Sequence, residues 1–302
     1  MSKTIRIGTR DSKLALWQAT TVQQQLEHLG YKTQLVPVKS QGDIILDKPL
    51  YELGITGVFT KTLDLAMLNG TIDIAVHSMK DVPTLLPKGI IQSAVLPRAN
   101  TKDILVYKDL DFLNSTGIIA TGSLRRKAQW LNKYPNHQVE DLRGNVITRL
   151  QKLEDNSWNA AIFAKAGLER IEVLPKNHIE LDWMIPAPAQ GAMVVVTLQN
   201  DIFSTEAISK LNHTPTEICT HIEREFLQVL EGGCTAPIGA LATIAKDIIH
   251  FKGVLLSIDG SQKLSISKSV ESSNFKGFGE ACALEILNHG GKDLMKDLKN
   301  SL

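Results

Sequence analysis

The stretch DIAVHSMKDVP, residues 73–83, joins a short apolar run to a cluster of polar side chains. We predict a buried strand over residues 73–76, because a short apolar run of this kind is typical of a strand covered on both faces. His77, Lys80 and Asp81 follow at its carboxyl end, where they bring together a general acid, a cation and a carboxylate. His77 also fits a hydrogen-bonded histidine near the core, which we favour, and Lys80 and Asp81 also fit an exposed pair.

Strands alternate with helices on both sides of this stretch, which predicts parallel sheets covered by helices. Predicted strands cover residues 4–8, 33–38, 73–76, 117–120, 139–142, 160–164 and 192–198. Predicted helices follow a cap at Asp11 or Ser12, cover 60–68, begin at Ser123 and cover 146–153. The first of these helices carries Leu14, Trp17, Leu26 and Leu29 as its apolar residues.

The pattern changes after residue 212 and predicts a smaller α+β domain. Thr214 as cap, Pro215 at the first helical position and Glu217 at the third predict a capping box. The helix that follows has one apolar face, formed by Ile218, Ile222, Phe226 and Leu230. Residues 251–270 predict two strands joined by a two-residue turn at Asp259-Gly260, and a helix over 278–287 precedes a short charged tail.

Composition and charge exclude several classes of protein. The 302 residues contain 33 Lys and Arg against 32 Asp and Glu, a net charge of +1, which argues against a globally basic nucleic-acid binder. No apolar run is long enough for a membrane span, and residues 1–19 lack a secretory signal. Three cysteines without a CxxC pair indicate a reducing compartment, so we expect a cytoplasmic protein, and no residue spacing predicts a metal site.

Arginines follow the carboxyl ends of several predicted strands, where open α/β sheets bind ligands. These are Arg10, Arg125, Arg126, Arg143 and Arg149. A helix that begins Ser123-Leu124-Arg125-Arg126 is unfavourable unless an anion is close, because helix N-termini repel cations. Any single one of these arginines also fits a solvated surface residue, but the set predicts a site for carboxylates or phosphates.

Cys234 follows two glycines directly after a predicted helix. A thiol in such a loop is accessible as a nucleophile or an attachment point, although a single loop cysteine is more often incidental. Cys219 and Cys282 lie in predicted helices, where we expect them to be core residues.

Nine motifs occur along the chain in this order: IRIGTRDSKLALWQA, KSQGD, DIAVHSMKDVP, TGSLRRKAQ, DLRGNVITRL, AGLER, PAPAQGA, EREFL and LEGGCTAPIGA. Together they resemble the porphobilinogen deaminase family. The resemblance implies an α/β fold with two doubly wound, periplasmic-binding-protein-like domains and a small α+β domain with a three-stranded antiparallel sheet. The implied domains are residues 1–97 with a returning segment 192–212, residues 98–191, and the cofactor-attachment domain 213–302. Hinges are implied near 96–101 and 189–193.

The same resemblance implies a transferase of heme biosynthesis that joins four porphobilinogen molecules head to tail, releases ammonia and gives hydroxymethylbilane. The growing chain is held on a dipyrromethane cofactor, which a thioether attaches to Cys234. Asp81 is the implied catalytic residue. Implied cofactor-binding residues are Lys80, Asp81, Thr121, Ser123, Arg125, Arg126 and Gly144. Implied substrate-binding residues are Arg10, Ser12, Gln18, Arg143, Arg149, Arg170 and Gln190. The resemblance implies no metal, nucleic acid or membrane partner, and a monomer.

Two other functions are compatible with parts of the sequence. A solute-binding protein built on the same two α/β units predicts reversible anion binding without a covalent adduct. A nucleic-acid binder that uses residues 124–127 fits poorly, because no aromatic platform accompanies these residues. The sequence departs from many relatives of the family at Thr56, where those relatives carry a lysine.

Overall fold

The computed structural model describes residues 3–38, 60–230 and 236–301, which divide into two compact units. The described part of the first unit is 3–38, 60–99 and 191–217, and that of the second is 100–190, 218–230 and 236–301. The described strands are β1 Thr4–Thr9, β2 Lys32–Pro37, β3 Ile74–Ser78, β4 Ile90–Val95, β5 Asp103–Tyr107, β6 Ile118–Ala120, β7 Gln138–Glu140, β8 Ala160–Ala164, β9 His178–Glu180, β10 Met193–Leu198, β11 Ile238–Ala245, β12 Ile248–Leu256 and β13 Lys263–Glu271. The described α-helices are α1 Lys13–His28, α2 Lys61–Leu68, α3 Leu124–Lys133, α4 Val146–Asp155, α5 Lys165–Arg170, α6 Ile202–Ser209, α7 Thr214–Val229, α8 Phe278–Ile286 and α9 Lys292–Ser301.

The sheet of the first unit has the order β2-β1-β3-β10-β4. β1 pairs in parallel with β2 and β3, whereas β10 is antiparallel to β3 and β4. Ser12 caps α1, as predicted, but the predicted apolar side of this helix was wrong in part. Trp17 and Leu29 are 38% and 45% exposed, and the inward side is formed by Ala15, Ala19, Val22 and Leu26. The helical spacing of these inward residues, three or four apart, is hard to recognise in the sequence because two of them are small alanines.

The sheet of the second unit repeats the pairing pattern of the first. Its order is β7-β6-β8-β5-β9, and β6 pairs in parallel with β7 and β8, whereas β5 is antiparallel to β8 and β9. Apolar clusters around Phe163 and around Trp130 belong to this unit. The predicted α/β class is therefore confirmed, but the expectation of parallel sheets was wrong in part, because β10 and β5 are antiparallel to their neighbours. Strands β4, β5 and β9 were not found from the sequence.

The last sheet is three-stranded and antiparallel, in the order β11-β12-β13, as predicted. The predicted two-residue turn at Asp259-Gly260 was wrong, since residues 257–262 connect β12 to β13 and the Asp259 carboxylate accepts hydrogen bonds from Ser257 and Ser261. The two-residue hairpin instead joins β11 to β12 at Lys246 and Asp247, which both have positive φ, +50° and +63°. Such φ values normally select Asn or Gly, so the turn has no sequence signal.

The helices around the last sheet correct two further expectations. The predicted capping box at Thr214 was wrong, because α7 begins at Thr214 and the amide of Thr216 donates to Nδ1 of His213, 3.3 Å away. Pro215 is tolerated there because amides of the first turn have no partner within the helix. The predicted charged tail is helix α9, which buries Leu294, Met295 and Leu298. The predicted apolar face of α7 is confirmed, and Cys219 and Cys282 are buried.

Candidate active site

Asp81 lies in a 3₁₀ turn, Met79–Asp81, that follows β3 directly. The amide of Met79 donates to the carbonyl of Ala192, 3.0 Å away, which fixes the start of this turn against the residue before β10. Asp81 and Lys80 are both half-buried. Within the part of the chain that the structure describes, the Asp81 carboxylate makes no hydrogen bond or ion pair. It therefore retains its full capacity to accept hydrogen bonds from a ligand.

The end of β1 brings further predicted residues to the same edge of the first sheet. β1 and β3 are parallel neighbours, with Gly8 opposite Ala75, so Arg10 and the turn that carries Asp81 follow adjacent strand ends. Ser12 begins α1, and its Oγ accepts the Ala15 amide at 3.3 Å. Gln18 is buried and donates to Oγ of Ser78 at 2.8 Å, which ties α1 to the end of β3.

His77 is the buried titratable group of this edge. The predicted burial is confirmed, but a hydrogen bond of the buried Nε2 was wrongly expected, since this nitrogen has no hydrogen-bond partner among the described residues. Burial lowers the pKa of His77 to about 4, and the positive charge of Arg10 lowers it further in the same direction. The imidazole is therefore neutral at neutral pH and adds no positive charge to that of Arg10.

Replacement of His77 by Gln is expected to flatten the acid side of the stability curve. The unfolded pKa is near 6.5 and the folded pKa about 4, so the unfolded state holds more protons between these values. The free energy of unfolding thus falls as pH drops through this window, by on the order of 3 kcal/mol. Urea unfolding from pH 7.5 to 4.5 measures the difference between wild type and His77→Gln. Burial raises the pKa of Asp64 to about 6, so Asp64 contributes the opposite pH dependence to the free energy of unfolding. This contribution is the same in both proteins and cancels in their difference. Parallel curves would contradict this account.

In the second unit, Asp103 connects the two predicted arginines of α3. Oδ2 of Asp103 accepts from Nη1 of Arg125 at 2.7 Å, and Oδ1 accepts from Nη2 and Nε of Arg126 at 2.8 and 3.1 Å. Asp103 is fully buried, and the two guanidinium groups hold the pKa of its carboxyl far below the usual range. The Asp103 carboxylate therefore supplies part of the negative charge that the sequence analysis predicted beside these arginines. The cluster of Arg125, Arg126 and Asp103, here called the arginine cluster, keeps an excess charge of one cation.

One edge of Arg125 is suited to a carboxylate ligand. Its Nη1 donates both to Asp103 and to the carbonyl of Ile185, at 2.7 and 2.8 Å, which uses both hydrogens of that nitrogen. Its Nε is buried and has no hydrogen-bond partner among the described residues. Nε and Nη2 form the edge with which guanidinium groups bind carboxylates in a bidentate way. Arg6 uses this edge for Asp73, with distances of 2.9 and 2.8 Å. The donor set of Arg125 therefore fits a cofactor that carries carboxylates.

The other predicted residues of the second unit follow β6, β7 and β8. Oγ1 of Thr121 accepts the amide of Ser123 at 3.4 Å, so these two residues shape the turn before α3. Gly144 has a φ of +112°, which favours glycine, and its carbonyl accepts from Nε of Arg149 at 2.7 Å. Burial lowers the pKa of Arg143, against the opposing effect of Asp141.

Arg170 and Gln190 complete the predicted set. Burial lowers the pKa of Arg170 to about 10, against the opposing effect of Glu169. Gln190 is fully buried, and its Nε2 donates to the carbonyl of Thr101 and to Oδ1 of Asp103, at 2.8 and 3.0 Å. The structure thus brings Gln190 together with the arginine cluster.

Sequence reasoning missed two buried carboxylates, Asp103 and Glu223. Glu223 accepts the amides of Ala189 and Ala242, at 2.6 and 2.7 Å, and Ala189 has a φ of +62°. Glu223 therefore holds the residue before Gln190 in a left-handed conformation. Its position on the apolar side of α7 was the available signal, whereas Asp103 resembles an ordinary polar residue at the start of a strand.

Several predicted features lie outside the described residues. Cys234 with its neighbouring glycines is one of them, and KSQGD and Thr56 are others. Across residues 3–38, 60–230 and 236–301, no helix is long and apolar enough to cross a membrane. The same residues contain no group of three or more His, Cys, Asp or Glu side chains placed to hold a metal ion.

Comparison with known proteins identifies the family. Residues 5–206 match the model of the porphobilinogen deaminase, dipyromethane cofactor binding domain, and residues 217–288 match that of the porphobilinogen deaminase, C-terminal domain. The chain belongs to the porphobilinogen deaminase family. The porphobilinogen deaminase of Syntrophotalea carbinolica is 38% identical over 304 residues, covering 98% of this chain and 96% of that protein. The porphobilinogen deaminase of Moorella thermoacetica is 40% identical over 303 residues, with coverage of 98% and 96%.

Solved structures with a similar arrangement include a probable amino-acid ABC transporter extracellular-binding protein of Bacillus subtilis. It is 13% identical, covers 70% of this chain and 91% of that chain, and has a TM-score of 0.42, which is too low to support any functional argument. The porphobilinogen deaminase match, by contrast, extends over both units. It assigns the first of the two matched regions to the binding of a dipyrromethane cofactor.

Proposed function

We propose that Asp81 and the buried arginines carry out, in this chain, the reaction of the porphobilinogen deaminase family. The chain is a transferase that joins four porphobilinogen molecules head to tail, releases ammonia and gives hydroxymethylbilane for heme biosynthesis. The observation that carries the assignment of residues is the Nε edge of Arg125, which is buried and lacks a partner among the described residues, within a cluster that keeps an excess positive charge.

The second unit supplies the cofactor-binding residues in this proposal. When bound, the dipyrromethane would supply the primer with its free pyrrole α-carbon, and we assign its thioether link to Cys234. Porphobilinogen units carry acetate and propionate groups, so a cofactor built from them is a polyanion. The arginine cluster, together with Thr121, Ser123 and Gly144, neutralises and orients these carboxylates. Lys80 of the first unit is assigned the same role.

Asp81 is the catalytic carboxylate in this proposal. Its oxygens are available to the pyrrole N–H of the substrate, because no described residue uses them. Loss of ammonia from the aminomethyl group leaves a positive charge on the substrate pyrrole, and a fixed carboxylate stabilises this charge where it develops. The neutral His77 on β3 adds no positive charge of its own to this edge.

The substrate carboxylates are assigned to the remaining predicted residues. These are Arg10, Ser12, Gln18, Arg143, Arg149, Arg170 and Gln190. The buried Gln190 acts through Asp103 and not by direct contact. Burial of Arg143 and Arg170 favours anion binding, since an incoming carboxylate compensates a guanidinium that is poorly solvated.

The wider organisation follows the resemblance. We assign residues 1–97 with 192–212 to the first domain, 98–191 to the second and 213–302 to the cofactor-attachment domain. Three cysteines without a CxxC pair favour a reducing compartment, and we assign the chain to the cytoplasm as a monomer.

Intact mass spectrometry of the purified chain tests this function. We expect a species heavier than the polypeptide by two pyrrole units, and we expect Cys234→Ala to have the mass of the bare polypeptide. Incubation with porphobilinogen should yield hydroxymethylbilane only from the modified chain. An unmodified chain that binds porphobilinogen reversibly and forms no product would support the solute-binding alternative instead.

A further inference from the structure

The hydrogen bonds of Asp103 are distributed unequally between its two oxygens. Three donors converge on Oδ1: Nε and Nη2 of Arg126 and Nε2 of Gln190, at 3.1, 2.8 and 3.0 Å. Among the described residues, Oδ2 accepts only from Nη1 of Arg125, at 2.7 Å. The first oxygen therefore fixes the carboxylate, and the second is left to orient one guanidinium group.

Arg126 differs from Arg125 in how its donors are used. Its Nε–Nη2 edge faces Oδ1 of Asp103, and its Nη1 donates to the carbonyl of Ile162 at 2.8 Å. The bidentate edge of Arg126 is thus occupied within the protein. The corresponding edge of Arg125 is not, because Asp103 and Ile185 hold the opposite nitrogen, Nη1.

We propose that Asp103 is a positioning residue, which anchors Arg125 by Nη1 so that its Nε–Nη2 edge stays directed to a ligand carboxylate. The inference rests on the proposed function, because it takes the ligand to be a cofactor or substrate carboxylate. Asp103 also sets the charge of the arginine cluster, since it compensates one of the two guanidinium groups and leaves the other for the ligand. Gln190 supports this arrangement, because its Nε2 donates both to Oδ1 of Asp103 and to the carbonyl of Thr101.

Asp103→Asn is the discriminating substitution. Three donors already converge on Oδ1, so the amide nitrogen of Asn must take the position of Oδ2 and face Nη1 of Arg125, donor against donor. Arg125 then loses its anchor while the volume of the side chain is kept. Loss of a charge-assisted hydrogen bond predicts a fall of about tenfold or more in the fraction of chains that carry the dipyrromethane adduct, as measured by intact mass.

Two double variants separate positioning from folding and from charge. Asp103→Asn with Arg126→Gln removes one negative and one positive charge, so the cluster keeps its excess of one cation. It therefore tests the inference even where the single variant does not fold. We expect it to load as poorly as Asp103→Asn. The second double variant combines Asp103→Asn with Arg125→Lys. Because Asp103 acts through Arg125, its kcat/KM for porphobilinogen is expected to be only slightly lower than that of Arg125→Lys alone. A purely structural role of Asp103 does not produce this coupling.

Asp73→Asn is the matched control, because Asp73 accepts the bidentate edge of Arg6 in the first unit and is nearly as buried. It should lower the unfolding midpoint and leave the loaded fraction of folded chains unchanged. Wild-type loading of Asp103→Asn and of Asp103→Asn with Arg126→Gln would overturn the inference and leave the proposed function intact. Fully multiplicative losses of Asp103→Asn and Arg125→Lys would do the same. An unmodified and inactive wild-type chain would instead overturn the proposed function, and this inference with it.

Discussion

Asp81→Asn is expected to retain the dipyrromethane adduct and to lose about 10²–10³-fold in kcat, the loss typical for removal of one group that stabilises transition-state charge. The amide keeps the shape of the carboxylate and removes its charge. The structure favours a large effect, because Asp81 follows β3 in a short turn that is fixed by the Met79 amide, and no described residue competes for its oxygens. Single-turnover measurement of ammonia release separates this chemical step from product release.

Asp11→Asn is the matched control for this experiment. Asp11 follows the neighbouring strand β1 and is exposed, so its substitution removes a carboxylate from the same edge without touching the 3₁₀ turn. We expect near-wild-type turnover from it. Near-wild-type turnover from Asp81→Asn would show that another group stabilises the cation, whereas an adduct-free Asp81→Asn protein would place Asp81 in cofactor loading instead of elongation.

The fold was predictable where apolar runs are strong and where a helix begins at a usual capping residue. Strand β8 and the cap of α1 were predicted correctly for these reasons. The Lys246-Asp247 hairpin was not, because its left-handed residues are neither Asn nor Gly and only pairing of β11 with β12 enforces them. Strand β9 has three residues and is held by pairing with β5, which no local pattern encodes.

The candidate site was predictable in its cations and not in their partners. The position of Arg125 and Arg126 at a helix start indicated that an anion was required. That a buried carboxylate 22 residues earlier supplies part of this anion follows only from the order of the second sheet, in which β5 lies beside β8. For the same reason, the sequence did not distinguish Arg126, whose bidentate edge is occupied, from Arg125, whose edge is available.

Arg125→Lys is expected to give a folded chain that is largely free of the dipyrromethane adduct. Lysine keeps the charge, and its ammonium can still pair with Asp103, but it has no second nitrogen to form the planar edge. A ligand carboxylate is then left desolvated without its partner, which costs on the order of 2–5 kcal/mol, or about 30-fold to several thousand-fold in affinity. Intact mass gives the loaded fraction, and thermal unfolding shows whether the chain is folded.

Arg6→Lys makes this prediction specific to the ligand. Arg6 and Asp73 form a bidentate pair of the same chemistry, with Nε and Nη2 of Arg6 donating to the carboxylate. Arg6 is more exposed than Arg125, so water replaces part of the lost contact and the stability cost stays small. Full loading of Arg6→Lys beside poor loading of Arg125→Lys would assign the effect to the Nε edge of Arg125. Full loading of both variants would show that a point charge is sufficient at position 125. The carboxylates would then be oriented by other groups.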